Sequence, residues 1–513
     1  MRSGGGTGGL WQAMRSWRTA SVALLSFASG LPLGLVWIAI PDWMRSSGVD
    51  IRIVGLTTLA QAPWSFKVLW SPLMDRYALP IFGRRRGWAL AAQVALFALT
   101  LMLGGVGDHP DAPWIVIALA LAIAFAAATQ DIAIDAYAVD VLRPDEQGVV
   151  VGARIAIYRA AMFIAGSLAI TLAGRYSWPA VCAGLALAYL PLMLVTAAAP
   201  EPERGPAPPT SLREAVWQPI LDVLARHRAL EILAFVVLYK LADNLAQSLT
   251  RPFLVDRGYD DVARGVALGS VSLVSTLAGT ALGGITTSLI GLGHALWIFG
   301  GLQVFSNIGY VLLARSPANL PLMYAANGFE QLTSGLGTGA FSVLLLRLTE
   351  KRFSATQYAL FSSLFGLPRL VSGPICGAMV DAVGWEAFYW FTIACGVPGL
   401  VLLARFVPPG VRDLPQYEVR ATPEIGASGR RLFLPGVVTA VATFAAATLG
   451  AALLLVLKGA RTGGDPVGLS SALSATLIPA TMADWIQLAG IIVMAALAGL
   501  LGAAAAAVRT RNP

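Results

Sequence analysis

Gly48-Val49-Asp50-Ile51-Arg52-Ile53-Val54-Gly55 and, 210 residues later, Gly258-Tyr259-Asp260-Asp261-Val262-Ala263-Arg264-Gly265 share the pattern G-x-D-x4-G. Each joins two long apolar runs. The same displacement carries Arg159 onto Arg369, and a displacement of 207 carries Trp178 and Pro191 onto Trp385 and Pro398. Glycine is abundant in this chain, so one coincidence would mean little. Four registers agreeing within three residues indicate an internal duplication.

The composition says in which solvent the repeat folds. Of 513 residues, 57% are hydrophobic, 53 more are glycine, 12% are charged, and the mean hydropathy is +0.70. Water-soluble domains run at about 45–50% apolar with glycine included and about 25% charged. About 20 apolar residues cross the hydrocarbon core. Fourteen such spans can be read, near 19–40, 51–70, 88–107, 114–136, 148–171, 178–199, 229–250, 262–286, 294–314, 320–346, 357–380, 385–407, 434–457 and 484–508. The connections leave no room for a sizeable soluble head. The arginine-bearing N-terminus offers no signal-peptide cut, and the apolar run behind it is too long for a signal core, so it is expected to be retained.

The duplication divides these spans into six plus six in parallel orientation, because six crossings return the chain to its starting side. Two parallel halves about an axis along the membrane normal are the arrangement of major facilitator transporters, with the site near the midplane. The expected organisation is all-α and polytopic: an N-tail (1–18), a six-helix bundle (19–199), a linker (200–228) whose later part could lie at the interface, a second six-helix bundle (229–407), a loop (408–433), and two extra helices with the C-tail (434–513). With the N-terminus inside, 22 of the 36 lysines and arginines fall in inner loops and tails, nine in outer loops and five within spans. That asymmetry puts both termini in the cytoplasm. It also accounts for the net charge of +8 without nucleic acid.

Ionisable residues in hydrocarbon cost about 2.5–3.5 kcal/mol at the span centre on insertion scales, so those that stay should face a cavity or a partner. At 1.5 Å per residue, Arg159, Lys240, Arg369 and Glu330 all lie near the midplane. Lys240, Asp243, Asn244 and Gln247 fall at i, i+3, i+4 and i+7, one face of a helix expected to line the central cavity; the alternative is a Lys240–Asp243 pair that joins helices. Asp131 and Asp135 share a face of span four, with Arg154 and Tyr158 at comparable depth on span five. A carboxylate exposed alternately to water and to an arginine can load and release a proton, so Asp131 and Asp135 are candidates for proton coupling; a fixed salt bridge is the competing role. Gln130, Arg154, Tyr158, Arg159, Lys240, Asp243, Asn244, Gln247, Glu330, Gln331 and Arg369 are the candidate substrate contacts. Lys67 lies within reach of the cytosol by snorkelling, and Gln61, Trp64, Gln303 and Asn307 suit helix packing. The cationic excess near the midplane favours a substrate bearing carboxylates or phosphates.

The inner loop Ser71-Pro-Leu-Met-Asp-Arg-Tyr-Ala-Leu-Pro-Ile-Phe-Gly-Arg-Arg-Arg-Gly resembles the Asp-Arg…Gly-Arg-Arg loop of major facilitators. The resemblance implies a gating role, breaking and remaking a lock, for Asp75, Arg76, Gly83, Arg84, Arg85 and Arg86. Ser71 stands where that pattern starts with glycine, and extra residues separate its two parts. These departures, together with FASGLPLGL (27–35), FKVLWSPLMDRY (66–77), FGRRRGW (82–88), TQDIAIDAYAVDVL (129–142), VLYKLADNLAQSLT (237–250), FSATQYALFS (353–362) and GWEAFYWFTIACGVPGL (384–400), resemble the AmpG-type muropeptide permeases. That family also carries two extra C-terminal helices. The resemblance implies a bacterial inner-membrane permease that imports N-acetylglucosaminyl-1,6-anhydro-N-acetylmuramyl peptides from periplasm to cytoplasm on the proton gradient, for peptidoglycan recycling, with β-lactam resistance as a consequence in some hosts.

Other classes fit less well. Cys182, Cys376 and Cys395 lie in apolar runs, and His109, His227 and His294 are far apart, so neither a disulfide framework nor a metal cluster is indicated. No phosphate loop of the GxxxxGK[ST] kind is present. The expected cofactor set is empty, with the proton as coupling ion, and a monomer in the lipid bilayer is the expected working form. The alternatives are a carrier of acetyl-CoA or another organic anion, and a membrane-embedded enzyme acting on lipid-linked sugars in which Asp131 and Asp135 would be an acid/base or metal pair.

Overall fold

Hydrocarbon offers the backbone no partner, so a spanning chain must bond to itself. The computed structural model describes residues 16–502 apart from 50–53, 55, 80–81, 108–112, 145, 201–207, 225, 227, 414–428, 462–467, 481–483 and scattered positions beyond 485. Among the described residues there are helices and no strand. Ten helices there are long and apolar enough to cross a membrane. They match expected spans one, three to nine, twelve and thirteen. Spans ten and eleven form a pair bent by 100° at Leu320–Leu348 and Lys351–Gly366. The first of these, 29 residues, is about 43 Å long and exceeds the roughly 30 Å core by itself; the bend is therefore the turn between two spans. Beyond it, helix continues from Ser354 to a break at Gly384, where φ is 81°, and resumes to Phe406. The chain is thus an all-α, multi-pass membrane protein.

Span two departs from expectation. Instead of one α-helix it is a chain of short pieces, Leu56–Gln61 and Lys67–Leu69 in 3-10 geometry around Ala62–Phe66, followed by Ser71–Arg76. Pro63 and Pro72 start the two α pieces, since neither can donate to the preceding turn. Span fourteen, expected at 484–508, falls largely outside the described residues.

The chain divides into two compact units. One comprises Met1–Val216, Val274–Phe299 and Ser334–Ser363; the other comprises Trp217–Leu273, Gly300–Thr333 and Leu364–Pro513. The first therefore holds spans one to six together with the ends of spans eight to eleven on the arginine-rich face, termed here the basic face.

Within the first unit, spans one and five cross at backbone contact. A Cβ at Gly30 would lie 2.2 Å from the Tyr158 carbonyl oxygen, and one at Gly34 2.3 Å from that of Met162. Water does not drive such contacts in lipid; close van der Waals approach through small residues does. Both spans carry a π-helical turn there, Leu35–Ala39 behind Pro32 and Ile164–Leu168, and Ile38 packs on Gly166. Leu31, Ile40, Trp43, Ile123, Ala165 and Tyr189 form the core beneath. The core of the second unit is aromatic: Phe253, Tyr310, Phe388 and Tyr389 interlock, with Tyr310 and Tyr389 stacked at 5.0 Å. Outward-facing Leu194 and Val274 remain exposed, as lipid contact allows.

Candidate functional site

On the basic face, the sequence builds a buried charge network within the first unit. Phe82 and Gly83 both adopt left-handed backbone, φ 65° and 75°, turning the chain so that helix Arg84–Gly104 starts beside the short helix Ser71–Arg76. Arg85, 3% exposed, donates to Asp75 (2.7 Å), Asp140 (2.9 Å), the Met74 carbonyl (3.1 Å) and Ser354 Oγ (2.7 Å). Asp75, fully buried, accepts from the backbone N–H groups of Ala355 (3.2 Å) and Thr356 (2.8 Å) and from Thr356 Oγ1 (2.6 Å). The first N–H groups of a helix have no internal partner and carry partial positive charge. Asp75 satisfies those of the helix starting at Ser354, and bonds to a charged group of this kind contribute about 1.5–3 kcal/mol each.

Not all candidate gating residues join this network. Arg84 donates to the Asp75 carbonyl, at 3.4 Å, and not to a carboxylate among the described residues. Arg86 instead caps the end of span six through the carbonyls of Ala197 (3.2 Å) and Ala199 (2.7 Å). Arg76 is half-buried over the Tyr77 ring.

Deeper in the same unit, Asp135 is held by two cations, Arg154 Nη2 at 2.7 Å and Lys67 Nζ at 3.3 Å, while Arg154 also donates to Ser26 Oγ. Lys67 is 7% exposed, so its partner is this carboxylate and snorkelling does not describe it. Asp131, one turn away, accepts from Trp64 Nε1 at 2.9 Å, and Trp64 stands edge-on to Trp37. Gln130 is fully buried, and neither polar atom of its amide has a partner among the described residues. Tyr158 is half-buried and Arg159 exposed on span five.

In the second unit, span seven does not carry its polar residues on one unbroken helix. It breaks at Lys240 and at Leu249, leaving Ala229–Leu238, Leu241–Ser248 and Thr250–Asp256. Lys240 Nζ donates to Asp243 (2.6 Å) and to Gln303 on span nine (2.6 Å), all three buried. Asn244 is half-buried, whereas Gln247 is exposed and donates to Glu330 Oε1 at 2.8 Å. Gln331 is half-buried. The Arg369 side chain lies outside the described residues.

Residues 22–318 match the model of the Major Facilitator Superfamily. The anhydromuropeptide permease of Escherichia coli (strain K12) is 43% identical over 390 residues, 75% of this chain and 79% of that protein. This chain belongs to the anhydromuropeptide permease family of major facilitators. Membership makes it a transporter, not an enzyme, and agrees with the fold: the human organic anion transporter MFSD10 (TETRAN) superposes with a TM-score of 0.58 at 14% identity over 75% of this chain and 99% of its own, and the proton:xylose symporter XylE with 0.55 at 12% over 76% and 96%.

Several members of these networks carry no separate signal in the sequence. Ser354 and Thr356 look like ordinary residues at a helix start; a remote carboxylate caps them. Asp140 lies a little over one turn beyond the Asp131–Asp135 pair on another face of the same helix, so their spacing does not mark it. Lys67 and Asp135 lie at matching depths on spans two and four, a coincidence the sequence does contain.

Proposed function

We propose that this chain is a proton-coupled importer of N-acetylglucosaminyl-1,6-anhydro-N-acetylmuramyl peptides, moving them from periplasm to cytoplasm of a bacterium across its inner membrane, with both termini and the basic face in the cytoplasm. The observation that carries the reading is the 43% identity to the E. coli permease over three quarters of the chain. The chemistry is consistent with it. Muropeptides bear several carboxylates, and the candidate contacts Arg159, Lys240 and Arg369 are cations at midplane depth, of which Lys240 is paired with Asp243.

Import by alternating access requires contacts that form and break on the cytoplasmic side. The Asp75–Arg85–Thr356 network is suited to that: its bonds are short and buried, yet each connects separate spans and can be released as a unit. Asp131 and Asp135 are the two candidates for coupling in the first bundle. Asp135 is already neutralised by Arg154 and Lys67, which leaves Asp131, bonded to a neutral indole, as the one whose charge is free to change.

Purified protein in proteoliposomes is the test. Labelled anhydromuropeptide should accumulate when the outside is made acidic and not otherwise. Asp131→Asn should abolish that accumulation, and Lys240→Ala should raise KM at least tenfold. Accumulation indifferent to the proton gradient would refute the coupling, and none at all would refute the substrate.

A further inference from the structure

Glu330 is a candidate substrate contact that its surroundings seal off. It stands ten residues into the helix Leu320–Leu348, about 15 Å from that end, and is 0% exposed. One oxygen accepts from Gln247 at 2.8 Å; the other, Oε2, is buried with no partner among the described residues. The titratable groups around it, among the described residues, are Lys240 and Asp243 from span seven, Tyr310 from span nine and Tyr389 from span twelve. Lys240 donates to Asp243 at 2.6 Å and to Gln303 at 2.6 Å, so this cation already has a carboxylate of its own.

Adding an ionised Glu330 to that pair leaves a net negative charge in a dry site, which is costly unless a proton joins it. Two further features suit proton traffic. Gln247 is exposed on one side and bonded to Glu330 on the other; a polar amide at this depth faces water in preference to lipid. The buried Tyr389 hydroxyl has no partner among the described residues, and Tyr310, whose hydroxyl lies 3.3 Å from Asn327 Oδ1, stacks on its ring. Orphaned polar atoms of this kind mark places for ordered water. They lie toward the end of spans nine and twelve opposite the basic face.

We propose that Glu330 is a second proton-binding carboxyl, in the C-terminal bundle, loaded from the face opposite the basic one along the Tyr310–Tyr389 hydroxyls while the Gln247 amide holds its other oxygen, and that it does not touch substrate. At Glu330 the proton adds to Oε2 and leaves from the same oxygen; along the path each tyrosine hydroxyl gives up its own proton as it accepts the next, so no net bond is left changed, and the Gln247 amide keeps its protons. The proposal rests on the transport reading above for its purpose, though not for its first test.

Infrared difference spectra of the full chain in lipid, recorded between acid and alkaline buffer without substrate, should contain the carbonyl stretch of a carboxylic acid that Glu330→Gln removes and Asp131→Asn leaves. Gln247→Leu should shift that band, because it deletes the donor to the carbonyl. Should Glu330→Gln fail to assemble, the Gln247→Leu shift alone decides. A band unchanged by either variant overturns the proposal. In proteoliposomes, the protons moved per labelled anhydromuropeptide should fall by one in Glu330→Gln, and Glu330→Asp should restore the ratio. Loss of exchange and of substrate binding in Glu330→Gln would make it a substrate ligand and overturn the proposal. Wild-type protein that exchanges no muropeptide while retaining the infrared band would instead refute the substrate and leave the proton site standing.

Discussion

Asp75 Oδ2 accepts two bonds from a single residue 281 positions away, the N–H of Thr356 at 2.8 Å and its hydroxyl at 2.6 Å. A carboxylate so placed does three jobs: it caps a helix, pairs with Arg85 and ties together spans from both halves of the repeat. Asp75→Ala should therefore cost about 2–3 kcal/mol, less than the roughly 3–5 kcal/mol of an isolated broken buried pair because Arg85 keeps Asp140. A fall of several degrees in the melting temperature of the purified protein, with faster alkylation of a cysteine placed at Thr356, is the expected result. Melting and labelling equal to wild type would mean the network is incidental.

Lys67 and Arg154 hold the same carboxylate from two different spans. Removing either leaves Asp135 one cation, whereas removing both leaves a half-buried charge uncompensated. The double variant Lys67→Ala/Arg154→Ala should lose more stability than the two single losses combined, by about 0.5–3 kcal/mol. A thermal-melting cycle over the four proteins measures that excess, and strict additivity would show the cations to be independent.

The sequence made the repeat readable for a physical reason now visible. Gly48 and Gly258 adopt the same left-handed backbone, φ 82° and 79°, a conformation that other residues enter at a cost; the glycine therefore persists in both copies. Hydropathy likewise located the spans, because span length is fixed by the bilayer. What it could not provide is the partner of each polar residue. Periodicity places Lys240, Asp243 and Gln247 on one face, yet the break at Lys240 and the bond to Gln303 depend on a neighbouring helix. In the same way Pro63 and Pro72 announce irregularity in span two, though not that Lys67 is thereby carried to Asp135.

Gly284 in span eight meets the start of span five without room for a side chain. A Cβ there would stand 2.3 Å from the Gly148 carbonyl oxygen and 2.9 Å from the Gly152 nitrogen, both backbone atoms. Gly284→Ala should accordingly cost about 1–3 kcal/mol through forced separation of the helices, and transport should slow with it. Gly265→Ala, where nothing lies within 4 Å, should be neutral. Equal melting temperatures for the two variants would show that spans five and eight do not meet here.

The linker helix Leu212–Leu224 is fastened at its start by one carboxylate. Glu214 Oε2 accepts from the Thr210 N–H and hydroxyl, each at 2.7 Å, its other oxygen pairs with Arg352 at 2.5 Å, and its own N–H donates to Ser211 Oγ at 3.1 Å. This is close to a capping box, with the acid at the third helical position. The Thr210 hydroxyl bond, with the neighbouring backbone bonds and Arg352, holds the Glu214 carboxyl below its ordinary range. Because the folded value is the lower one, the carboxylate stabilises the helix start at neutral pH and at any pH above the unfolded value of about 4.3, and that stabilisation disappears as pH falls through the depressed folded value. Hydrogen exchange of the amides in 212–224, corrected for intrinsic rate, should accelerate on acidification across that interval in wild type. In Glu214→Gln it should be faster at neutral pH and should gain nothing further on acidification. Protection in wild type that does not respond to acid would show that the helix is held by its apolar face alone.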